Sequence, residues 1–358
     1  MTADEVRYGV IGAGMMGVEH IRNIDAIEGA RVVAIADPHE PSRAAAAATV
    51  GDDALALFAD HRALLDAELC DAVVIASPNM THAAILGDVL GRDVHVLVEK
   101  PLCTTVEDCR RVLDAARDHA GIVWVGLEYR YMPPVARLID EVRAGAVGTV
   151  RMFAIREHRF PFLPKVGDWN RFNRNTGGTL VEKCCHFFDL MNHVLDATPV
   201  SVMASGGADV NHRDEVYDGE VPDILDNAFV IVEYDSGARA SLDLCMFAEG
   251  SRNQEELSVV GDRGKVEAFL PASTVRVGRR HEGWMGVREE HVVDERVGYE
   301  GFHHGSSYLE HLHFVDAIRT GARPAVGLEE GMLSVAVGVA AQRSIAERRV
   351  VSMEEVLT

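Results

Sequence analysis

Residues 6–17 read VRYGVIGAGMMG, an apolar strand run that enters a glycine turn and then a stretch of helical spacing. The turn is Gly12-Ala13-Gly14-Met15-Met16-Gly17. Gly12 permits the tight turn, Gly14 lets backbone approach a pyrophosphate, and Gly17 lets the helix pack closely on the strand. The helix N-terminus then offers its unbonded N–H groups to phosphate oxygens, with Met15 and Met16 in its first turn. Asp37 closes the next strand run, 20 residues after Gly17. A carboxylate there accepts from a ribose 2′-hydroxyl and repels a 2′-phosphate, so NAD is expected over NADP. Arg43, the nearest cation, would soften that preference, and a flavin or other nucleotide on the same fold is the alternative.

Working outward, the rhythm of strand and helix continues. Apolar runs at Val32–Ala36, Ala72–Ala76, His95–Val98 and Val123–Val125 alternate with helical stretches at Met15–Ala26, Ser42–Thr49, His82–Leu90 and Thr105–His119. Strands that are apolar throughout belong to a parallel sheet covered on both faces. Residues 1–127 are therefore expected to form an α/β, doubly wound Rossmann domain. Beyond residue 128 the strand candidates lengthen and alternate: Val150–Glu157, Val200–Ser205, Ala228–Tyr234, Ala238–Phe247, Glu256–Val260, Lys265–Phe269 and Val275–Val277. With turn signals at 235–237 and 261–264, this predicts an antiparallel or mixed sheet in a second domain, 128–358. Helices at Tyr308–Arg319 and Glu329–Glu347 close the chain.

Composition narrows the partners. The chain has 358 residues and a formal net charge of −21, which argues against nucleic acid and anionic membrane surfaces. No apolar run of about 18 residues suggests a membrane span. The N-terminal MTADEVRYGVIG lacks a basic region followed by an apolar stretch, so a cytoplasmic protein is expected. The six cysteines (Cys70, Cys103, Cys109, Cys184, Cys185, Cys245) have no metal-site spacing and are expected as packed thiols.

Two stretches carry candidate chemistry. The HVLV strand ends in Glu99-Lys100-Pro101. In an open α/β sheet, ligands bind beyond the carboxyl ends of the strands, so Lys100 projects toward a cofactor or stands as a surface lysine. The second stretch is GGTLVEKCCHFFDLMNH, 177–193. Placed on one helix, Leu180–Leu195 presents Glu182, His186, Asp189 and His193 on one stripe. Leu180, Cys184, Phe187, Met191, Val194 and Leu195 fall opposite and read as core. The polar stripe is open to three readings: a solvated face, a metal site from Glu182, His186 and His193, or a catalytic wall.

At this point GAGMMG, SPNMTH (77–82), EKP (99–101), GGTLVEKCCHFFD (177–189) and HHGSSYLEH (303–311) together resemble the Gfo/Idh/MocA oxidoreductases, relatives of glucose-fructose oxidoreductase and inositol dehydrogenase. The resemblance spans essentially the whole chain. It implies a Rossmann domain and a C-terminal α/β domain with a large open, mostly antiparallel sheet that often mediates homodimers or homotetramers. It implies NAD, held by Gly12, Gly14, Met15, Met16, Gly17, Asp37, Ser77, Asn79, His82, Glu99 and Lys100, and no metal. It makes Lys100 catalytic, beside an aspartate and a histidine four residues apart. The histidine position is His186. The aspartate position holds Glu182, a departure that moves the carboxylate by about 1.5 Å.

Between Arg151 and Lys183, seven cations (Arg151, Arg156, Arg159, Lys165, Arg171, Arg174, Lys183) face three carboxylates, +4 in a chain of −21. Such a basic island suits an anionic substrate, because arginine grips carboxylate, sulfonate or phosphate in a fork. Local ion pairing with the acidic remainder is the alternative. The substrate candidates are Arg130, His158, Arg159, Lys165, Trp169, Asn170, Arg171 and Lys183. The leading expectation is an NAD-dependent oxidoreductase acting on a ring hydroxyl of a sugar or cyclitol. His186 would take the proton, Lys100 would stabilise the alkoxide, and Glu182 would support the geometry. A second class is an NAD-dependent oxidoreductive glycosidase, which oxidises, eliminates, hydrates and re-reduces, on an acidic glycoside such as a sulfoquinovoside. A third is a non-catalytic NAD sensor.

Overall fold

The computed structural model describes residues 5–358 and divides the chain into two compact units. The first runs to Glu128 and takes in Lys165–Gly167 and Glu295–Met332. Its sheet is parallel: β1 (Val6–Ile11), β2 (Ala30–Ala36), β3 (Ala56–Phe58), β4 (Ala72–Ile75), β5 (His95–Glu99) and β6 (Val123–Gly126), in the order β3-β2-β1-β4-β5-β6. Helices α1 (Met15–Asp25), α2 (Glu40–Val50), α3 (His61–Asp66), α4 (His82–Val89) and α5 (Val106–Ala115) alternate with the strands. Val73, Val74, Ile75, Val96, Leu97 and Val98 are fully buried, as both-face coverage of a parallel sheet demands. Strand order reverses between β1 and β4, and that switch point is where such sheets bind ligands.

Two short elements of this unit went unread in the sequence. β3 is a three-residue edge strand. α3 is capped by Asp60, whose carboxylate accepts from the N–H groups of Arg62 and Ala63. A larger difference concerns the helix Ser306–Thr320, expected in the second domain. It belongs to the first unit because Phe314 packs on Tyr8 and Trp124, ring centroids 6.2 and 6.1 Å away. Contacts across such sequence distance leave no local periodicity to read.

The second unit comprises Tyr129–Pro164, Asp168–Asp294 and Leu333–Thr358. Its nine strands are β7 (Val150–His158), β8 (Pro199–Gly207), β9 (Asn227–Tyr234), β10 (Arg239–Cys245), β11 (Glu255–Gly261), β12 (Gly264–Leu270), β13 (Thr274–Arg279), β14 (Arg288–His291) and β15 (Val351–Ser352). They lie in the order β14-β13-β12-β11-β7-β10-β9-β8-β15. β7 and β10 run parallel and the remaining neighbours antiparallel. One face is core: Phe153 and Ile155 of β7, Leu242 and Leu244 of β10, and Leu257 and Val259 of β11 are buried. The other face leaves Met152, Met203, Phe229 and Ile231 exposed.

Helix α6 (Pro133–Arg143) starts with prolines in its first turn and buries Val135, Leu138 and Ile139. The stretch expected as one helix, Leu180–Leu195, is two: α7 (Thr179–Glu182) and α8 (Cys185–Leu195), broken at Lys183-Cys184. The glycines before it have distinct reasons. Gly177 and Gly178 take φ of 81° and 88°, and a Cβ on Gly178 would overlap the Gln342 amide. Gln342 donates to the Gly177 carbonyl at 2.6 Å. All six cysteines are thiols. Among the described residues no helix is long and apolar enough to cross a membrane, and no group of three or more metal-ligating side chains forms a site.

Candidate active site

In the first unit the glycine turn shows why each position lacks a side chain. A Cβ on Gly12 (φ 95°) would lie 2.6 Å from the Ala76 and Ser77 backbone, so the turn presses on the loop after β4. A Cβ on Gly17 would overlap the Gly12 carbonyl oxygen. Gly14 differs: it is the N-cap of α1 without a side-chain cap, and a Cβ there meets nothing within 4 Å. Clear space at an uncapped helix N-terminus fits a dinucleotide pyrophosphate. The Asp37 carboxylate accepts from Ala13 N at 2.6 Å and His39 N at 2.7 Å, which fixes it beside the turn with lone pairs left for a ribose diol. Arg43 turns its guanidinium onto the Asp37 carbonyl oxygen.

The loops after β4 and β5 are joined by His82. Its ring is fully buried, with Nδ1 2.9 Å from Pro101 O and Nε2 3.0 Å from Ser77 O. Burial holds it below the usual imidazole range despite those two carbonyls. Both ring nitrogens of His82, a residue expected at the cofactor, face protein carbonyls, and the residue ties two loops together. Ser77 Oγ lies 2.7 Å from Thr81 Oγ1, and Asn79 is buried in the same turn. Glu99, also expected at the cofactor, points inward. It accepts from His20 Nε2 at 2.9 Å and from the Lys100 N–H at 3.1 Å. Burial alone would raise its pKa, but the hydrogen bond from His20 and the positive charge nearby outweigh it and hold the carboxyl well below its ordinary range. Lys100 itself is partly exposed at the carboxyl end of β5.

In the second unit, Glu182, His186 and Asp189 are all buried, so the stripe drawn from helical spacing is not one open wall. Asp189 forms a two-bond pair with Arg130, Nε–Oδ2 2.6 Å and Nη2–Oδ1 2.5 Å. Arg130, expected at the substrate, is thus engaged by a buried carboxylate. His193 accepts from Arg143 Nη2 at 2.7 Å. Burial and the charges of Arg130 and Arg143 push it down to about 3, so it stays neutral. His186 is held by a residue that sequence reasoning missed. Tyr129 stacks on its ring, centroids 4.0 Å apart and planes 6° from parallel.

Tyr129 leads to a buried charge cluster. Its hydroxyl accepts from Lys183 Nζ at 2.6 Å, and Nζ pairs with Glu157 Oε1 at 3.0 Å. Arg159 reaches the same oxygen at 3.3 Å. Glu255 stands opposite Glu157 in the β7–β11 register and is equally buried. Desolvation, then the Glu157 charge, push its carboxyl up to about 7, against the pull of Lys183 and Arg159. The remaining candidates are similarly engaged. Arg171 is buried and paired with Glu215 at 2.8 Å, and Asn170 donates to Leu163 O at 3.0 Å. His158 bonds Asp243 at 3.1 Å, Arg156 pairs with Glu256 and Arg174 with Glu220, each at 2.5 Å. Trp169 is half-buried, and Lys165 belongs to the first unit. Arg156, Arg159, Arg171, Arg174 and Lys183 of the basic island each have a carboxylate partner, and for the buried Arg171 and Lys183 such pairing is what makes burial tolerable.

A glycine turn at the switch point of a parallel sheet, an uncapped helix start and a carboxylate at the end of β2 define an NAD-binding oxidoreductase with a second α/β unit. The chain belongs to the Gfo/Idh/MocA oxidoreductase family. The family's NAD-binding Rossmann fold matches residues 6–127, and its C-terminal alpha/beta domain matches 139–353. The chain is 28% identical over 353 residues to the myo-inositol 2-dehydrogenase of Thermotoga maritima, covering 98% of this chain and 100% of that one. It is 32% identical over 277 residues to the inositol 2-dehydrogenase of Acidothermus cellulolyticus, 77% and 76% of the two chains. A crystal structure of a probable dehydrogenase from Thermotoga maritima superposes with a TM-score of 0.80 at 25% identity, covering 98% of this chain and all of that one.

Proposed function

We propose that the protein is an NAD-dependent dehydrogenase that oxidises a secondary ring hydroxyl of a cyclitol or sugar to the ketone. The observation that carries this is the carboxyl edge of the first sheet. There the glycine turn, Asp37 and Lys100 share one unit, and His82 ties the Lys100 loop to the loop after β4. NAD, when bound, supplies the hydride acceptor. The glycine turn and α1 N-terminus hold its pyrophosphate, and Asp37 holds its adenosine ribose. His186, with its ring plane fixed by Tyr129, takes the hydroxyl proton. Lys100 stabilises the charge that develops on that oxygen. Glu182 orients His186 or binds a neighbouring hydroxyl. Pairing within the basic island favours a neutral polyol, and the inositol dehydrogenases among its relatives point the same way.

The oxidoreductive glycosidase is kept as a second reading for one reason. Glu255, opposite Glu157, places an extra proton-holding carboxyl group in the cluster behind His186, and elimination and hydration need more proton transfers than oxidation does. One experiment separates the two. Incubation with NAD and a panel of inositols, neutral sugars and acidic glycosides should give stoichiometric NADH with a cyclitol or sugar. Aglycone release without net NADH would replace this reading with the glycosidase. Neither signal, on a protein that binds NAD, would sink both. The exposed apolar face of Met203, Phe229 and Ile231 supports a homo-oligomer through the second sheet, tested by light scattering on Phe229→Asp.

A further inference from the structure

We infer that His20 and His311 are positioning residues for Lys100, forming with Glu99 a buried relay that holds an ionised carboxylate against the lysine and fixes its charge. This rests on the reading of Lys100 given above. The three side chains come from three elements of the first unit: Glu99 from the end of β5, His20 from α1, and His311 from the helix Ser306–Thr320. His20 Nε2 lies 2.9 Å from Glu99 Oε1, and His20 Nδ1 lies 2.8 Å from His311 Nε2. The two rings meet edge to face, centroids 5.1 Å apart. All three residues are buried, the imidazoles to 1% exposure or less.

The hydrogen bonds set the proton positions. An ionised Glu99 only accepts, so His20 Nε2 must carry a proton. A neutral His20 then presents a bare Nδ1, and His311 donates to it from Nε2. His311 Nδ1 is left as a lone pair, and that buried nitrogen has no hydrogen-bond partner among the described residues. A further proton on His20 would reverse the central bond and leave a buried Nδ1–H on His311 without an acceptor, which is costly. Desolvation and the neighbouring His20 also hold His311 well below the usual imidazole range, outweighing the opposing Glu99 charge. The relay therefore favours one arrangement, with Glu99 anionic.

Other groups facing this relay are accounted for. Lys100 and His303 lie within electrostatic reach of Glu99, and His303 Nδ1 lies 3.5 Å from Glu128 Oε1. Glu19 of α1 accepts from Phe302 N and Tyr299 Oη, and Glu310 accepts from Trp124 Nε1. Tyr8 sets its ring edge on to His311, centroids 5.8 Å apart. Glu99 also accepts the Lys100 backbone N–H, which fixes the start of the lysine's loop, and its charge attracts that of the Lys100 side chain. Without His20 the buried carboxyl would take up a proton. Lys100 would then lose the attraction of the Glu99 charge and give up its own proton more readily.

The test reads Lys100 directly. Competitive acetylation with acetic anhydride, followed by mass spectrometry across pH 6 to 11, gives the midpoint at which Lys100 becomes reactive. In His20→Leu that midpoint is expected to fall by about one pH unit. Turnover should fall about tenfold while KM for NAD stays within about twofold. His20→Gln keeps a donor for Glu99 and should recover most of both. His311→Phe, which does not touch Glu99, should move the midpoint the same way by less, and it serves if His20→Leu fails to fold. An unmoved midpoint in the folded variants overturns the relay. Lys100→Met separates this from the functional reading: retained turnover sinks the assigned role of Lys100, whereas lost turnover with unmoved midpoints sinks the relay alone.

Discussion

Replacing Gly14 with alanine should separate cofactor binding from folding. Gly14 has φ −74° and ψ −163°, extended backbone that any L-residue adopts, and its new methyl would meet no protein atom within 4 Å. The cofactor-free variant should match the wild type within about 0.5 kcal/mol. At a concentration near 100 times its Kd, NAD stabilises the wild type by about 2.7 kcal/mol. In a chain of this size that is an upward shift of several degrees, on the order of 2–4 °C per kcal/mol. Gly14→Ala places a methyl in the pyrophosphate path and should lose most of that shift. Gly17→Ala is the contrast, because its Cβ would overlap the Gly12 carbonyl oxygen. It must separate α1 from the turn and should destabilise the cofactor-free protein by about 3 kcal/mol. Thermal melts with and without NAD, with NADH fluorescence titration, measure both. A Gly14→Ala protein that keeps the full NAD shift would refute the path over Gly14. A Gly17→Ala protein that melts like the wild type would refute the close approach.

Asp37→Ala should weaken NAD and improve NADP, narrowing their affinity ratio about tenfold, since a carboxylate that accepts from the ribose and repels a 2′-phosphate is removed; an unchanged ratio in titrations counts against it. Asp189→Asn should cost about 3–5 kcal/mol in denaturant melts by leaving the Arg130 guanidinium buried beside a neutral partner, and a loss under 1 kcal/mol would show the pair is not desolvated. Glu255 titrates near pH 7 in the folded chain against an ordinary 4.5, so between those values the folded state keeps a proton that the unfolded state has lost. Its stabilising contribution is present below about pH 4.5 and lost as pH rises to about 7, on the order of 3 kcal/mol in all. Glu255→Gln should flatten that part of the pH dependence, raising stability at pH 8 relative to pH 5 by comparison with the wild type; an identical profile in melts at both pH values refutes the assignment.

How much was legible depends on whether the deciding contacts are local. The turn at 12–17 and the uniformly apolar β4 and β5 are local, and they led directly to a parallel sheet and an NAD site. The helix Ser306–Thr320 was recognised as a helix, yet its place beside Tyr8 and Trp124 depends on residues about 190 to 300 positions away. The polar stripe failed for a related reason. Helical spacing says which side chains share a face, not whether that face meets solvent, Arg130 or Tyr129. One signal was present and went unused. In β7 the buried phase is Phe153, Ile155, Glu157, and in β11 it is Glu255, Leu257, Val259. Period-two alternation thus points two carboxylates into a core, and a buried carboxylate requires a proton or a cation. Lys183 and Arg159 meet that requirement at Glu157. The +4 island then has an internal cause: β7, β11 and the segment 215–220 turn carboxylates toward it, and its cations balance them. An anionic substrate would have to compete with those carboxylates for the same cations, and that competition is the physical reason to rank a neutral polyol first.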